Sequence, residues 1–313
     1  MKEYKSFFVK LFVFCVLAIV VDVLCGIVFR KLEYQAVARS PHEMIVETVV
    51  DSVSSDVVLI GGSEVNHSIN SNIISDSLGV SVYNCGKDAV RFYVQNVFIN
   101  SILDRYTPKM IVWSVSPEKL ATPVEEDKGL LSQLNPLYRK NKYAKEALCS
   151  KSKYEPVKLL SQAYTYNSQL LIYLSKIVKP ESDEFQAMNG YSPLPIRDRE
   201  VEIHERDWIE EYDTAVVKEF KSTLSRCAEK GAKVVFVFVP RYEIEEHDDS
   251  KSYQMLMSIA REYDIPVIEE FYHYEPLMES KYFNDFAHLN EDGANIFTPL
   301  LASRLSVVLQ SNE

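Results

Sequence analysis

The chain opens on a long run of apolar positions. From Leu11 to Phe29 only Asp22 carries a charge, so 19 residues form a stretch just long enough to cross a hydrocarbon layer as a helix. A cleaved signal peptide would have a shorter apolar core, and the small-residue exit Ala36-Val37-Ala38 lies well beyond Phe29. A lipoprotein site at Cys25 is disfavoured by the bulky Leu24 before it. The pattern predicts an uncleaved anchor over residues 1–31, followed by a linker and short helix over 32–54. Lys2, Lys5 and Lys10 face Arg30, Lys31 and Arg39 across the span, so flanking charge orients it weakly. With no second apolar span, the expectation is a single-pass membrane protein with a cytoplasmic amino terminus and an extracytoplasmic body. Asp22 is costly inside the span and is expected to snorkel to the outer interface or to touch another membrane protein.

Beyond residue 54 the pattern alternates. Short apolar runs at Val57–Ile60, Val80–Tyr83, Met110–Val115, Lys233–Val239 and Ile265–Ile268 predict five buried strands. Helical periodicity lies between and after them, at Ser71–Leu78, Val90–Arg105, Asp213–Lys230, Tyr253–Tyr263 and Asp292–Leu309, with Gly79 and Gly231 as stops. Strand and helix in repetition mean βαβ units and an open parallel sheet covered on both faces, so residues 55–313 read as one α/β domain. Between about 122 and 207 the rhythm fails. Helical pieces there (Tyr143–Cys149, Val157–Tyr164, Asn167–Val178) and a Pro-containing loop predict a largely helical insertion lying over the sheet's active end.

Composition narrows the function. The chain has 34 basic and 45 acidic residues; without residues 1–31 the body keeps 29 basic against 43 acidic, a net charge of −14. That excess argues against nucleic acid or anionic lipid as a partner. Cys85, Cys149 and Cys227 lack metal or redox spacing and read as packed or lone thiols, so no metal and no cofactor are expected.

Two segments carry chemistry: Gly61-Gly62-Ser63-Glu64-Val65-Asn66-His67 directly after the first strand, and Asp285-Phe286-Ala287-His288-Leu289 near the end. A serine hydroxyl needs an imidazole to take its proton and an acid to orient that imidazole, and Ser63, Asp285 and His288 supply all three. The spacing of three is expected to place Asp285 and His288 on one side of a helical turn. Ser63, Gly86, Ser116 and the Asp285–His288 pair all follow strands and so fall at the carboxyl end of the sheet, where open α/β sheets bind ligands. The Ser63 amide, at a strand-to-helix turn, and the Gly86 amide are candidate oxyanion donors. Asn66, His67, Ser116 and Arg241 are candidates for the substrate pocket. Packing of His67 and a surface ion pair for Arg241 are the plainer alternatives. Tyr138, Tyr143, Tyr164 and Tyr166 could stack on sugar rings or simply pack.

The Gly-Gly-Ser63 block, the Gly86 block and the run from Asp285 to Gly293 resemble signature blocks of the SGNH/GDSL hydrolase superfamily. The resemblance covers about residues 55–120 and 213–309 and is most specific in the last block. It implies a flavodoxin-like three-layer α/β/α fold and cofactor-free ester chemistry, with Ser63 as nucleophile, His288 as base, Asp285 as orienting acid and Gly86 as oxyanion donor. The family's third-block Asn has no clear match, strand three ending in Trp113-Ser114-Val115-Ser116-Pro117-Glu118; Ser116 or Asn66 could stand in. One anchor joined to such a domain is similar to proteins that modify alginate or teichoic acid beside a membrane-bound O-acyltransferase. The resemblance thus implies acyl-ester chemistry on a cell-envelope glycan, by hydrolysis or transfer, or an inactive binding and assembly role beside such a partner.

Overall fold

A computed structural model of the chain describes residues 2–121, 128–205, 211–244 and 250–310. The apolar run and residues 32–39 of the expected linker form one unbroken helix, α1 (Lys2–Arg39), long and apolar enough to cross a membrane. A short helix, α2 (Ile45–Asp51), leads into β1 (Val57–Ile60), α3 (Ser63–Ser68), α4 (Ser71–Leu78), β2 (Val82–Asn84), α5 (Phe92–Arg105), β3 (Met110–Ser114) and α6 (Pro117–Ala121). After the insertion come a brief strand β4 (His204–Glu205), the helix Thr214–Lys230, β5 (Lys233–Val237), β6 (Glu243–Ile244), the helix Lys251–Glu262 and β7 (Val267–Ile268). The chain closes with a hairpin of β8 (Phe283–Asp285) and β9 (His288–Leu289) and the helix Glu291–Gln310.

Five strands form one parallel sheet in the order β2-β1-β3-β5-β7. β1 sits inside it, pairing Val57 with both Val82 and Met110. Because successive side chains on a strand face opposite ways, the sheet feeds two cores. Val58, Ile60, Ile111 and Trp113 pack with α2, α5 and the helix Thr214–Lys230, whereas Val57, Leu59, Met110 and Val112 pack with Ile74 of α4 and with Phe297 and Leu301 of the last helix. Burial on both faces explains why these strands read as continuous apolar runs. The central strands are nearly as expected. The edge strands β2 and β7 are shorter at their starts, and β4, β6 and the hairpin, of two or three residues each, carry too little periodicity to be read in sequence.

The insertion departs from expectation in where it lies. Its helices, Lys142–Lys151, Glu155–Lys158, Gln162–Tyr166, Leu170–Val178 and Asp183–Gln186, gather on α1, α2 and α5 rather than over the carboxyl end of the sheet. Residues 122–127 and 206–207 of the predicted insertion lie outside the described residues. The tyrosines serve packing and support: Tyr143 donates to Asp104 and Tyr164 to Glu155, Tyr166 is buried beside Glu33, and Tyr138 packs on the first core. Asp22 finds its partner inside this chain. It accepts hydrogen bonds from Ser161 Oγ and from the Gln162 and Ala163 amides at 2.7–3.0 Å, covering the free N–H groups that open the helix Gln162–Tyr166.

The tail of the insertion bonds directly to the edge of the sheet and to α3. Asn84 N–H donates to Asn189 O, Ser192 N–H donates to Asn66 O, and Gly190, at φ +86°, lies so close to β2 that a Cβ there would sit 1.9 Å from Asn84 O. Gly79 also has positive φ but faces open space. Gly79→Ala should therefore cost about 1 kcal/mol, the left-handed penalty alone, and Gly190→Ala well over ~2 kcal/mol because backbone must move. Thermal unfolding of both variants in detergent checks this; equal losses would mean that residues 189–192 do not pack on β2.

Glu47 of α2 is buried and accepts from Tyr173 Oη at 3.1 Å. Burial, with the Glu33 carboxylate nearby, pushes its pKa up to about 7. Since the folded state holds this proton more tightly than the unfolded chain, the stabilisation is full below the ordinary carboxylate value and is lost as pH rises through about 7. Glu47→Gln should flatten the fall in melting temperature between pH 5 and pH 8; an unchanged slope would exclude this group as its source.

Candidate active site

Ser63 is the first residue of α3, three residues beyond the end of β1, so it stands at the carboxyl edge of the sheet beside the strand β3. Asp285 and His288 come from the other end of the chain. They lie on the two strands of the β8–β9 hairpin, directly paired across it, and not on a helical turn. The expectation of a helical turn fails because the two-residue turn Phe286-Ala287 reverses the chain and brings positions 285 and 288 face to face.

Several contacts fix the hairpin against α3. Leu289 N–H donates to Ser68 Oγ at 3.3 Å, Tyr242 N–H donates to Phe286 O at 2.8 Å, and Arg199 donates to Asn284 O at 2.7 Å. The Phe286 ring stacks on His204 with centroids 4.4 Å apart and lies 5.9 Å from the Arg241 guanidinium. Gly293, where a Cβ would meet Tyr282 O at 2.3 Å, lets the last helix start close behind.

So held, the three residues form one continuous chain of hydrogen bonds. His288 Nδ1 is 2.8 Å from Asp285 Oδ1 and His288 Nε2 is 2.6 Å from Ser63 Oγ. Burial alone would raise the Asp285 pKa, but the hydrogen bond and charge of His288, with the Ala287 amide and Asn284, hold it down at about 2. An ionised carboxylate only accepts, so Nδ1 carries the proton, Nε2 accepts, and the Ser63 hydroxyl is the donor.

Three charged residues around Ser63, namely Glu64, Lys119 and Asp88, escaped the sequence reading. Glu64 Oε1 accepts from the Gly62 amide at 3.0 Å, from Ser114 Oγ at 2.9 Å and from Lys119 Nζ at 2.6 Å. Burial opposes its ionisation, yet Lys119 and the amide outweigh it and bring the pKa down to about 2. On the other flank His67 is buried with Nδ1 2.6 Å from Ser192 O and Nε2 3.0 Å from Asp88 Oδ1. With acceptors at both ring nitrogens the imidazolium is favoured; its pKa is raised against the effect of burial. His67 therefore packs as a fixed cation edge-on to His288, ring centroids 5.7 Å apart, and is not a free pocket residue. Glu64 and Lys119 sit next to Ser63 and five residues beyond Ser114, a spacing with no period that would flag them.

A cavity of about 260 Å³ opens above Ser63 and His288, walled by Val90, Phe92, Val115 and Tyr272 and rimmed by Arg91, Lys119 and Arg241. Ser116 and Arg241 line it as expected. Arg241 is held by Glu118 at 3.3 Å and by the buried Glu243 at 3.3 Å, an ion pair whose guanidinium still borders the cavity. Asn66 is outside the cavity wall and donates to Asp88 at 3.1 Å. Gly86 requires a correction. Its amide donates to Asn84 Oδ1 at 2.8 Å and is buried beneath α3, a Cβ there falling 2.4 Å from the Asn66 amide. The glycine serves close packing, and the donor expected of it is already used.

No protein-family model matches this chain, and comparison with curated proteins returns no relative.

Lys119 and Glu64 predict a measurable coupling. Lys119→Met strips the cation from a half-buried carboxylate and should destabilise by on the order of 2 kcal/mol. Adding Glu64→Gln should recover most of that loss, because the amide no longer needs a counter-charge. A double-mutant cycle of denaturant midpoints reads this directly, and additive losses would dissolve the pair.

Proposed function

We propose that this chain is a membrane-anchored serine esterase or acyl-transfer enzyme of the SGNH type, acting on acyl esters, O-acetyl groups in the first place, of a cell-envelope glycan. The unbroken Asp285–His288–Ser63 chain at the floor of a cavity carries the reading. The strand order, written over the five sheet strands as 2-1-3-4-5, is that of flavodoxin-like α/β folds, and burial of both sheet faces supports a three-layer α/β/α arrangement. A cavity of about 260 Å³ suits a short acyl group with the bulk of the glycan outside.

In this mechanism Ser63 Oγ attacks the ester carbonyl as His288 Nε2 takes its proton, and Asp285, ionised across the working pH range, stabilises the resulting imidazolium. The tetrahedral oxyanion meets the Ser63 amide at the opening of α3. Collapse breaks the ester C–O bond, and the leaving alkoxide takes the proton from Nε2. Water or a second sugar hydroxyl then attacks the acyl-Ser63 ester by the reverse proton path, giving hydrolysis or transfer. The helix α1 holds the domain at the membrane, with the body extracytoplasmic, beside a membrane-bound O-acyltransferase if transfer is the reaction. A second reading, a binding or assembly protein on the same fold, is favoured by one observation: the Gly86 amide is spent on Asn84, and among the described residues no Asn lines the cavity.

Labelling of the full chain in detergent with a fluorophosphonate decides between them. Wild type should label, Ser63→Ala and His288→Ala should not, and Asp285→Asn should label about 10⁴-fold more slowly because the wrong imidazole tautomer faces Ser63. A folded wild type that never labels would establish the binding reading instead.

A further inference from the structure

The insertion carries an apolar face that no described residue of the chain covers. Tyr154, Val157 and Leu160 are 61–69% exposed, on or beside the helix Glu155–Lys158. Their height relative to α1 is fixed by contacts. Asp22 binds Ser161, Gln162 and Ala163; a Cβ on Gly26 would meet Gln162 Cγ at 2.4 Å; and Arg30 donates to Gln162 Oε1 at 3.1 Å. Leu160, adjoining Ser161, therefore stands level with Asp22. Asp22 is seven residues short of Phe29, where the apolar run ends, which along a helix is about 10 Å.

Charge around this face has the sign that a membrane surface selects. Residues 139–158 hold seven Lys or Arg and two Glu, within a chain of net charge −11. Lys153 and Lys158 are exposed on either side of the apolar side chains. Apolar tips flanked by long cationic stems are what an interfacial element needs, the tips entering the acyl region and the ammonium groups reaching the phosphates. The body's acidic excess hides this local reversal, and the expectation that anionic lipid is excluded does not extend to the insertion.

The geometry points to the insertion as a second membrane contact: Tyr154, Val157 and Leu160 enter the same leaflet that the carboxyl half of α1 crosses, with Lys153 and Lys158 on its headgroups. This rests on α1 being a membrane span. The occupant is lipid because the face continues, at the same depth, the exposed apolar surface of α1, where Leu24, Ile27 and Val28 are 54–56% exposed. Its role is positional. A helix alone leaves the body free to tilt and rotate, whereas two contacts fix the height of the Ser63 cavity above the bilayer.

The test uses the full chain with Cys15, Cys25 and Cys149 replaced by Ser, in vesicles of phosphatidylcholine and phosphatidylglycerol. Nitroxides are placed singly at Leu17→Cys in α1, Val157→Cys, Leu160→Cys and, as the aqueous reference, Ser303→Cys. Power saturation against oxygen and a water-soluble nickel chelate reads the environment. Positions 157 and 160 should behave as position 17 does, with strong oxygen relaxation and loss of nickel relaxation. Nickel access at 157 and 160 equal to that at 303, with 17 still in lipid, overturns the inference and leaves the span intact. Nickel access at 17 itself overturns the span, and the inference with it. Protection of 157 and 160 from both reagents would show a protein covering, a second copy or another membrane protein, and would overturn lipid as the occupant.

Discussion

The seam between α3 and the β8–β9 hairpin is the contact on which the candidate site depends. Ser63 and His288 are 225 residues apart in sequence, and their 2.6 Å hydrogen bond survives only if both elements are fixed to the same frame. The frame is the parallel sheet. β1 delivers Ser63 at its carboxyl edge, and the last helix, packed in the second core through Phe297 and Leu301, delivers the hairpin just before it. The Leu289–Ser68 hydrogen bond then locks the base-bearing strand to the far end of the serine helix. A short helix and a two-residue-turn hairpin have little stability of their own, so their precision is borrowed from burial beneath them.

Around that seam the charges are arranged in closed pairs. Glu64 is satisfied by Lys119, Ser114 and an amide, and His67 by Asp88 and Ser192, so each charge introduced beside Ser63 has its counter-charge within the same shell. For the acyl chemistry proposed above, this arrangement supplies a field near Ser63 that stays fixed as an ester enters, the condition under which fixed dipoles and charges stabilise a developing oxyanion. It also places the His67 ring, its pKa raised by Asp88 and Ser192 against burial, edge-on to His288, whose Nδ1 is held by the ionised Asp285.

The sheet was legible in sequence because strands buried on both faces appear as unbroken apolar runs, and Val57–Ile60 and Met110–Ser114 emerged almost to the residue. Ser63, Asp285 and His288 were legible because their chemistry needs three particular side chains in any fold. Gly86 shows the limit of such reading: a glycine after a strand announces close approach, but whether the approaching group is a substrate or, as here, the backbone of Asn66 depends on packing across twenty residues. The Asp285–His288 spacing fits a helical turn and a tight hairpin equally, and long-range anchoring, of Phe286 between His204 and Arg241 and of Leu289 on Ser68, selects the hairpin. Glu64, Lys119 and Asp88 gave no signal because charged residues near a surface loop look alike until their partners are known.

The boundary between anchor and body, placed by composition at residue 31, does not coincide with a boundary in the structure. α1 continues to Arg39, Ala36 is fully buried with Met44, Tyr166 and Tyr173, and Glu33 is buried between Lys140 and Tyr166. Asp22 caps the helix Gln162–Tyr166 from within the apolar run itself. A carboxylate that is unfavourable in lipid is thus satisfied by backbone amides that would otherwise be open, and each group removes the other's cost. The helix that reads as a tether is also the post on which the insertion folds. Cutting it at residue 31 would remove Asp22, Gly26 and Arg30 together, leaving the Gln162 and Ala163 amides without their carboxylate and the apolar residues that pack along α1 without a surface.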